Sequence, residues 1–225
     1  MTRRVVVLVS GADSEILLAE LLAEGWTVLP LYVRCGFRWE GPELAGLRRV
    51  LRLLRGPRLG RLAVVSAPMR AQLGGHWSLT GRGVPGARAA WTSVYLPGRN
   101  AVLLTEAWLR AAGAGAQAVA IGSLKGNPFP DASPRFRRAI EKALNLGLAT
   151  RVRLMAPYAR LTKLQVLRRA RAFRPELAFS CLAPRAGEPC GRCNKCGELS
   201  QALRRFRAEG RPSSPRSPRR RRPGR

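Results

Sequence analysis

The chain has 225 residues, 46% of them hydrophobic, which is enough for one sizeable α/β core and a small addition to it. Its 41 Lys and Arg residues outnumber its 13 Asp and Glu residues, and the formal net charge of +28 favours an anionic ligand or contact with RNA without requiring either. The sequence contains no run of about 18 apolar residues and no evident signal-peptide cleavage site, so we expect a cytoplasmic protein that does not contact a membrane.

The first predicted element is a buried strand, which leads into a turn of small residues. The run from Val5 to Val9 is rich in β-branched residues and does not alternate with polar ones, which is typical of a strand covered on both faces. From Glu15 to Leu22, apolar residues recur at helical spacing. The turn between the two consists of Ser10, Gly11, Ala12, Asp13 and Ser14. A small-residue turn before a helix N-terminus predicts an anion site, most often for phosphate; the alternative is an ordinary turn capped by Ser10 or Asp13.

Strand and helix patterns continue to alternate beyond this turn. We predict a strand at 27–33, a helix at 40–55 and a strand at 61–66. Cys35 follows the second strand and is interpreted as a small buried residue rather than a nucleophile. Residues 67–97 are rich in glycine and are predicted to form loops, within which His76 is interpreted as a surface or packing residue rather than a catalyst.

A second candidate anion site lies at the Pro97-Gly98-Arg99-Asn100 turn, which precedes a predicted helix at 101–112. Free N–H groups at the start of a helix, with a guanidinium beside them, suit a phosphate or a carboxylate. The alternative is that Arg99 is simply solvated.

The second half of the chain completes an α/β pattern. We predict strands at 117–123 and 151–156, a helix from Phe136 to Leu144, and a helix from an N-cap at Thr162 to Ala172. The alternation predicts a Rossmann-like open parallel sheet of about five strands with helices on both faces. Ligands of such sheets bind beyond the carboxyl ends of the strands. The Ser10 turn, Arg99, the loop from Gly122 to Asp131, and Lys163 all fall on that edge.

Four of the five cysteines are clustered near the end of the chain, and they are Cys181, Cys190, Cys193 and Cys196. Four thiolates at Cys-x8-Cys-x2-Cys-x2-Cys spacing can form a closed tetrahedral site, which favours structural zinc. An iron–sulfur cluster is the alternative. We therefore divide the chain into an α/β nucleotide-binding domain (1–178), a zinc-binding module (179–207) and a basic tail (208–225). From Arg211 onward the tail lacks core-forming residues, so we expect it to be disordered and to attract nucleic acid without reading its sequence.

Several motifs together resemble one family of ATP-using enzymes. They are Ser10-Gly11-Ala12-Asp13-Ser14, Val94-Tyr95-Leu96-Pro97-Gly98-Arg99-Asn100, Ile121-Gly122, Pro130-Asp131, Lys163 and the four clustered cysteines. The first motif resembles the pyrophosphate loop of the PP-loop ATP pyrophosphatases. The whole set, over about residues 5–206, is similar to the 7-cyano-7-deazaguanine synthase family within that group.

The resemblance implies an adenine nucleotide α hydrolase-like fold, a structural Zn²⁺, and ATP with Mg²⁺ as a cosubstrate. Members of the family use ATP to activate the carboxylate of 7-carboxy-7-deazaguanine as an adenylate, convert it with ammonia into an amide, and dehydrate the amide to the nitrile preQ0 in queuosine biosynthesis. We expect a homodimer acting on these small molecules.

The resemblance also implies roles for individual residues. Ser10, Gly11, Ala12, Asp13 and Ser14 would bind the pyrophosphate of ATP, with Asp13 acting through Mg²⁺. Arg99 and Lys163 would stabilise charge on phosphate or substrate. Arg99, Gly122 and Asp131 would contact the substrate, with Asp131 accepting from guanine-like N–H groups.

Two departures from the family pattern keep other functions open. Ala12 stands where the family loop has a second glycine, and the loop at 124–135 lacks an acid, a tyrosine and a cysteine that the family carries there. The altered loop suggests, as an alternative, a related enzyme that activates a deazapurine acid for amidation or conjugation to a protein or nucleic acid. The high positive charge suggests a second alternative, a nucleic-acid-binding protein that is not an enzyme.

Overall fold

A single parallel sheet organises the protein, whose computed structural model describes residues 3–170, 172 and 175–209. Its strands are β1 (Arg4–Leu8), β2 (Thr27–Arg34), β3 (Ala63–Ser66), β4 (Ala118–Ala120) and β5 (Arg153–Met155). They are ordered β3-β2-β1-β4-β5, and every neighbouring pair is parallel. The predicted Rossmann-like sheet is therefore confirmed.

Helices and short 3₁₀ turns cover the sheet. The helices are α1 (Ala12–Ala23), α2 (Glu40–Leu53), α3 (Arg70–Leu73), α4 (Trp77–Thr80), α5 (Arg99–Ala114), α6 (Pro134–Gly147), α7 (Lys163–Leu167) and α8 (Asn194–Glu209). The 3₁₀ turns are Trp91–Val94, Pro130–Ala132 and Pro175–Leu177. None of the helices in the described part of the chain is long and apolar enough to cross a membrane.

The central strand β1 is buried on both faces, as its sequence predicts. Val5 and Val7 pack with the apolar residues of α1, α2, α7 and α8, whereas Val6 and Leu8 pack with those of α5 and with the cysteine cluster. Successive side chains of a strand point to opposite faces, so a run of β-branched residues without alternation supplies both layers at once. Helices therefore lie on both faces of the sheet.

Several predicted boundaries differ from the observed ones for local reasons. Helix α1 begins at Ala12 rather than Glu15, because Gly11 turns the chain within one residue at φ 89°. Strand β4 ends at Ala120, and residues 121–123 continue beyond the sheet edge. Helix α7 ends at Leu167, short of Ala172, where the Arg169 and Ala170 N–H groups bond to carbonyls three residues earlier. Residues 67–97 hold only the short α3, α4 and one 3₁₀ turn, close to the predicted loop.

Helix α8 was not predicted, although its sequence carries a helical pattern. Cys196, Leu199, Ala202, Leu203 and Phe206 recur at helical spacing and pack into the two cores. The segment was interpreted only by its cysteines, and a helix was therefore not predicted there. The helix includes Ala208 and Glu209, the first two residues of the predicted tail; the rest of the predicted tail lies outside the described residues.

The sheet order places a crevice at the carboxyl ends of β1 and β4. The chain runs outward from β1 to β2 and β3 in one direction, and then from β4 to β5 in the other. The loops that follow β1 and β4 therefore diverge, and in parallel sheets ligands bind where the strand order reverses.

Candidate functional site

A cavity of about 240 Å³ lies at this crevice. It brings together every residue for which the sequence predicted a nucleotide or substrate role, namely Ser10, Gly11, Ala12, Asp13, Ser14, Arg99, Gly122, Asp131 and Lys163. The cysteine module also reaches it, through Ser180, Cys181, Leu182 and Lys195. The cavity is thus lined by residues of both the predicted nucleotide-binding domain and the predicted zinc-binding module.

The loop after β1 is closed by a hydroxyl group. The Ser14 Oγ accepts a hydrogen bond from the Ser10 backbone N–H at 2.8 Å and donates to the Gly11 carbonyl at 2.9 Å. No side chain of the described residues caps α1, so the alternative of a cap by Ser10 or Asp13 is not observed. The backbone N–H groups in the first turn of α1 therefore border the cavity without a side-chain acceptor, which suits an anion.

Two small residues set how closely this loop approaches its neighbours. Gly11 lies at φ 89°, and a Cβ there would stand 3.1 Å from the Phe179 carbonyl oxygen. Ala12 is 3% exposed and packs into the core. The methyl group that replaces the family's second glycine is therefore accommodated by the core.

Gly122 allows the end of β4 to touch the start of α1. A Cβ at Gly122 would lie 2.9 Å from the Ser14 nitrogen and 3.0 Å from the Asp13 carbonyl carbon, closer than real Cβ contacts. Both partners are backbone atoms of a helix start and cannot move aside cheaply. The geometry thus gives Gly122 a packing role, and its predicted contact with substrate stays a prediction.

A chain of charges runs from the β1 loop to the cysteine module. The Lys163 ammonium lies 2.6 Å from Asp13 Oδ2 and 4.0 Å from Glu198 Oε1, and Lys195 lies 3.0 Å from Glu198 Oε2. Burial lowers the pKa of Lys163, but the two carboxylates outweigh this effect and the net shift of the pKa is upward.

Lys163 is the first residue of α7, and its position is set by Thr162, which caps this helix as predicted and forms a capping box with Gln165. The second oxygen of Asp13, Oδ1, is buried and has no hydrogen-bond partner among the described residues.

The second predicted anion turn is held in place by Asp131. The Asp131 carboxylate accepts hydrogen bonds from the backbone N–H and the side-chain amide of Asn100, both at 3.1 Å. Burial raises the pKa of Asp131, against the lowering effect of these hydrogen bonds. Arg99 lies beside this contact, with its guanidinium 5.8 Å from the Phe37 ring centre and its Nε buried without a partner in the described structure. Asp131 therefore positions the turn, and its predicted bond to substrate N–H groups stays a prediction.

The sequence missed two buried carboxylic acids beneath the β1 loop. Burial and the neighbouring Glu43 raise the pKa of Glu15 to about 8, and neither of its oxygens has a hydrogen-bond partner in the described residues. Burial raises the pKa of Glu43 to about 7, although Arg99 and a 2.7 Å hydrogen bond from the Tyr32 hydroxyl act in the other direction. Glu15 could have been noticed because it interrupts an otherwise apolar helix face.

Aromatic side chains form another part of the cavity that the sequence did not reveal. Tyr95 and Phe129 stack with their ring centres 5.1 Å apart, and Trp39 and Trp91 also line the cavity. They come from separate segments of the chain, so no local pattern predicted that they would meet. Flat apolar walls beside charged groups suit a heteroaromatic ligand that carries an anion.

The four clustered cysteines lie close together in space, whereas Cys35 and His76 serve in packing. The sulfur atoms of Cys181, Cys190, Cys193 and Cys196 all lie within 4.8 Å of one another and could hold a metal ion. Backbone N–H groups of Leu182, Ala183 and Cys190 donate to the sulfurs of Cys181 and Cys193 at 3.2–3.4 Å. Cys35 is 1% exposed, and His76 caps α4 through Ser78 and packs on Trp77. Their interpretation as packing residues is confirmed.

The comparisons with known proteins agree with this arrangement. The family model described as "Queuosine biosynthesis protein QueC" matches residues 3–207. The 7-cyano-7-deazaguanine synthase of Methanoculleus marisnigri is 31% identical over 93% of this chain and 97% of that protein. The 7-cyano-7-deazaguanine synthases of Aromatoleum aromaticum and an Anaeromyxobacter species are 33% and 35% identical, over 85% and 86% of this chain and 88% of each protein.

A solved structure supports the fold alone. It is described as a predicted subunit of tRNA methyltransferase from Methanocaldococcus jannaschii, and it covers 76% of this chain and 74% of that chain at 14% identity and a TM-score of 0.50. The family match extends from β1 into α8, across both the cavity and the cysteine cluster. The chain therefore belongs to the QueC family, whose curated relatives are 7-cyano-7-deazaguanine synthases.

Proposed function

We propose that this chain is an ATP-dependent carbon–nitrogen ligase that converts 7-carboxy-7-deazaguanine and ammonia into 7-cyano-7-deazaguanine. The observation that carries the proposal is the meeting of the Ser10–Ser14 loop, Arg99 and Lys163 in one cavity with stacked aromatic rings. Helix N–H groups and cations suit phosphates, and the rings suit flat bases. Family membership supplies the substrate named here.

The proposed reaction begins at the carboxylate. One of its oxygens attacks the α-phosphorus of ATP and releases pyrophosphate, which forms a mixed acyl–phosphate anhydride whose leaving group is AMP instead of an oxide ion. Ammonia then adds to the acyl carbon, AMP leaves, and an amide results. A second ATP activates the amide oxygen, and loss of that oxygen with AMP, together with two protons from nitrogen, gives the nitrile.

The residues of the chain serve this chemistry by binding and orienting charge. The N–H groups of α1's first turn would hold the leaving pyrophosphate. Arg99 and Lys163 would neutralise charge that develops on the phosphate oxygens, and Lys163 is already held in place by Asp13. Asp13 Oδ1, buried without a partner in the described residues, is the oxygen that we assign to the Mg²⁺ that accompanies ATP.

We assign structural zinc to the cysteine cluster. Tetrahedral zinc with Zn–S bonds near 2.3 Å places its sulfurs about 3.8 Å apart. The Cys190–Cys196 and Cys181–Cys193 sulfur pairs are 4.0 and 3.9 Å apart. In a cluster with two or four irons, at least some of the thiolates bind different irons and stand farther apart than the 4.8 Å within which all four sulfurs lie here, so this alternative fits less well. Zinc bound by four thiolates has no coordination position open to water or substrate. It would therefore stabilise the surrounding backbone and would not take part in the reaction.

The altered loop at 124–135 supports a second candidate, a relative that transfers the activated acid to another acceptor. Each Asp131 oxygen already accepts one hydrogen bond from Asn100, so this residue alone offers a deazapurine fewer free acceptor positions. Such an enzyme would still form AMP from ATP and the acid, but its product would be an amide or conjugate instead of a nitrile.

Assembly and location stay predictions as well. We propose a homodimer, which light scattering on the purified full chain would check. We propose the cytoplasm because thiol ligands persist there in reduced form. Contact of the basic tail with nucleic acid concerns residues outside the described structure, and truncation after Glu209 would test it.

Acid-dependent release of AMP tests the enzymatic proposal. The wild-type chain with Mg²⁺, ATP and ammonium should release AMP and pyrophosphate only when 7-carboxy-7-deazaguanine is present. Asp13→Asn removes a charge that pairs with Lys163, and it should lower this rate at least a hundredfold. Equal rates for wild type and variant, or no acid-dependent AMP, would contradict the proposal. A protein that only binds nucleic acid would keep its RNA affinity in the variant.

A further inference from the structure

We infer that Lys195, carried by the cysteine module, is a third cationic ligand for the anionic oxygens bound in the cavity, in addition to Arg99 and Lys163. This inference rests on the proposed function, and it adds Lys195 and helix α8 to the residues and elements that bind the substrates. The ligand chemistry is a phosphate or carboxylate oxygen, which could come from ATP or from the acid substrate.

The position of Lys195 in the cavity is the first support. Its side chain is 30% exposed and lines the cavity together with Asp13, Arg99 and Lys163. Its ammonium lies 4.3 Å from the ring centre of Trp91, another cavity residue. The charge of Lys195 also acts on Glu43, a buried acid of the same cavity, and lowers its pKa against the raising effect of burial. A lysine directed to bulk solvent would not have these neighbours.

The available partners of Lys195 are the second support. Glu198 contacts Lys195 at 3.0 Å and Lys163 at 4.0 Å, and Asp13 is engaged with Lys163 at 2.6 Å. Two lysines therefore share the carboxylates of Asp13 and Glu198, while Arg99 has no ion-pair partner among the described residues. A phosphate or carboxylate that enters the cavity can take the free donors of both lysines without breaking either short contact.

The anchoring of α8 explains why this lysine is held in place. Asn194 donates from its side-chain amide to the Ala89 carbonyl at 2.9 Å, and its backbone N–H donates to the Pro85 carbonyl at 2.9 Å. Gly197 approaches so closely that a Cβ there would lie 2.8 Å from the Ala87 Cβ. These contacts fix the segment that carries Trp91 against the first turn of α8. The cysteines on either side, Cys193 and Cys196, tie the same turn to the metal site.

A charge-removing substitution with a matched control tests the inference. Lys195→Gln should weaken binding of ATP with Mg²⁺, of inorganic pyrophosphate, or of the acid substrate at least tenfold by titration calorimetry. Lys195→Arg, which keeps the cation, should restore binding to within about threefold of wild type. Lys142→Gln removes the same charge from the exposed side of α6, outside the cavity, and should leave all three affinities unchanged. Bound metal and melting temperature should match wild type in every variant.

The results separate this inference from the proposed function and identify the ligand. Weaker binding of ATP and pyrophosphate assigns Lys195 to phosphate, whereas weaker binding of the acid alone assigns it to the carboxylate. Unchanged affinity of Lys195→Gln for all three ligands, in an enzyme that still makes AMP, would overturn the inference and leave the proposed function standing. A wild-type chain that binds none of the three ligands would overturn both. Loss of affinity in Lys195→Gln and Lys195→Arg alike would indicate a packing role and also overturn it.

Discussion

At the scale of single residues, the cavity combines anion-binding groups with buried acids that resist ionisation. Asp13 and Lys163 neutralise one another at 2.6 Å, and removing either partner would leave the other as an uncompensated charge in a largely buried position. Glu15 and Glu43 have no comparable cation within bonding distance in the described residues, so burial dominates and their pKa values rise to about 8 and about 7. With a pKa of about 8, Glu15 is mostly uncharged at neutral pH, so it adds little negative charge beneath the anion-binding loop.

The raised pKa of Glu15 predicts a pH-dependent stability. The folded state keeps the proton up to about pH 8, while the unfolded chain loses it near the usual pKa of 4.5, so the folded state loses stability as pH rises between these values. Glu15→Gln removes this loss. Its melting temperature should be close to that of wild type at pH 5 and about 4 °C or more above it at pH 8.5.

Calorimetry at several pH values checks this, with the exposed Glu188→Gln as the control that should show no such trend. A constant difference between Glu15→Gln and wild type across the range would mean that Glu15 is ionised in the folded state.

Gly122 gives a second prediction at this scale. Gly122→Ala forces the start of α1 away from the end of β4, since the new Cβ would stand 2.9 Å from a backbone nitrogen. We expect a loss of about 1–3 kcal/mol of unfolding free energy and at least tenfold weaker binding of ATP. Gly113→Ala in α5, where a Cβ meets nothing within 4 Å, should be neutral or slightly stabilising. Denaturant titration and calorimetry compare the two variants. Wild-type binding by Gly122→Ala would show that the close approach is not needed.

At the scale of elements, the sequence predicted most strands and helices but not how they meet. Strand β1 follows from an uninterrupted run of β-branched residues, and the start of α7 follows from its N-cap residue. Both signals are local in the sequence, and both elements were predicted from them. Helix α8 was missed because its first turn holds Cys196, the last cysteine of the metal pattern, and the segment was interpreted through that pattern. The contact of Asp131 with Asn100 joins residues that are 31 positions apart, and such pairs are set by tertiary packing rather than by local propensity. This is why the residues that line the site could be named from the sequence, while the contact of Asp131 with Asn100 could not be predicted.

The cysteine module should support α8 and the cavity wall together. Cys190→Ser removes one of the four sulfurs, and because metal binding contributes directly to folding at such sites, metal content and melting temperature should fall together. Metal analysis alongside calorimetry measures both. Cys35→Ala, which alters a thiol outside the cluster, should keep full metal content. A Cys190→Ser protein with wild-type metal content and melting temperature would contradict the structural role.

At the scale of the whole molecule, the sheet order determines where the function lies. Strands β1 and β4 are adjacent, and their following loops diverge to leave the crevice that is lined by every residue predicted to bind nucleotide or substrate. The sequence predicted this edge because parallel strands end on the same side of a sheet. It did not predict that the cysteine module forms a wall of the same cavity, since that contact joins the two ends of the chain.

The most direct test of the central claim is the product formed from 7-carboxy-7-deazaguanine. The full chain is incubated with the acid, ATP, Mg²⁺ and ammonium, and the deazapurine products are identified by mass spectrometry. We predict 7-cyano-7-deazaguanine, formed with AMP and pyrophosphate and absent when ATP or ammonium is omitted. Formation of AMP with an amide or conjugate but no nitrile would contradict the proposed synthase activity and favour the second candidate, and absence of any acid-dependent AMP would contradict both.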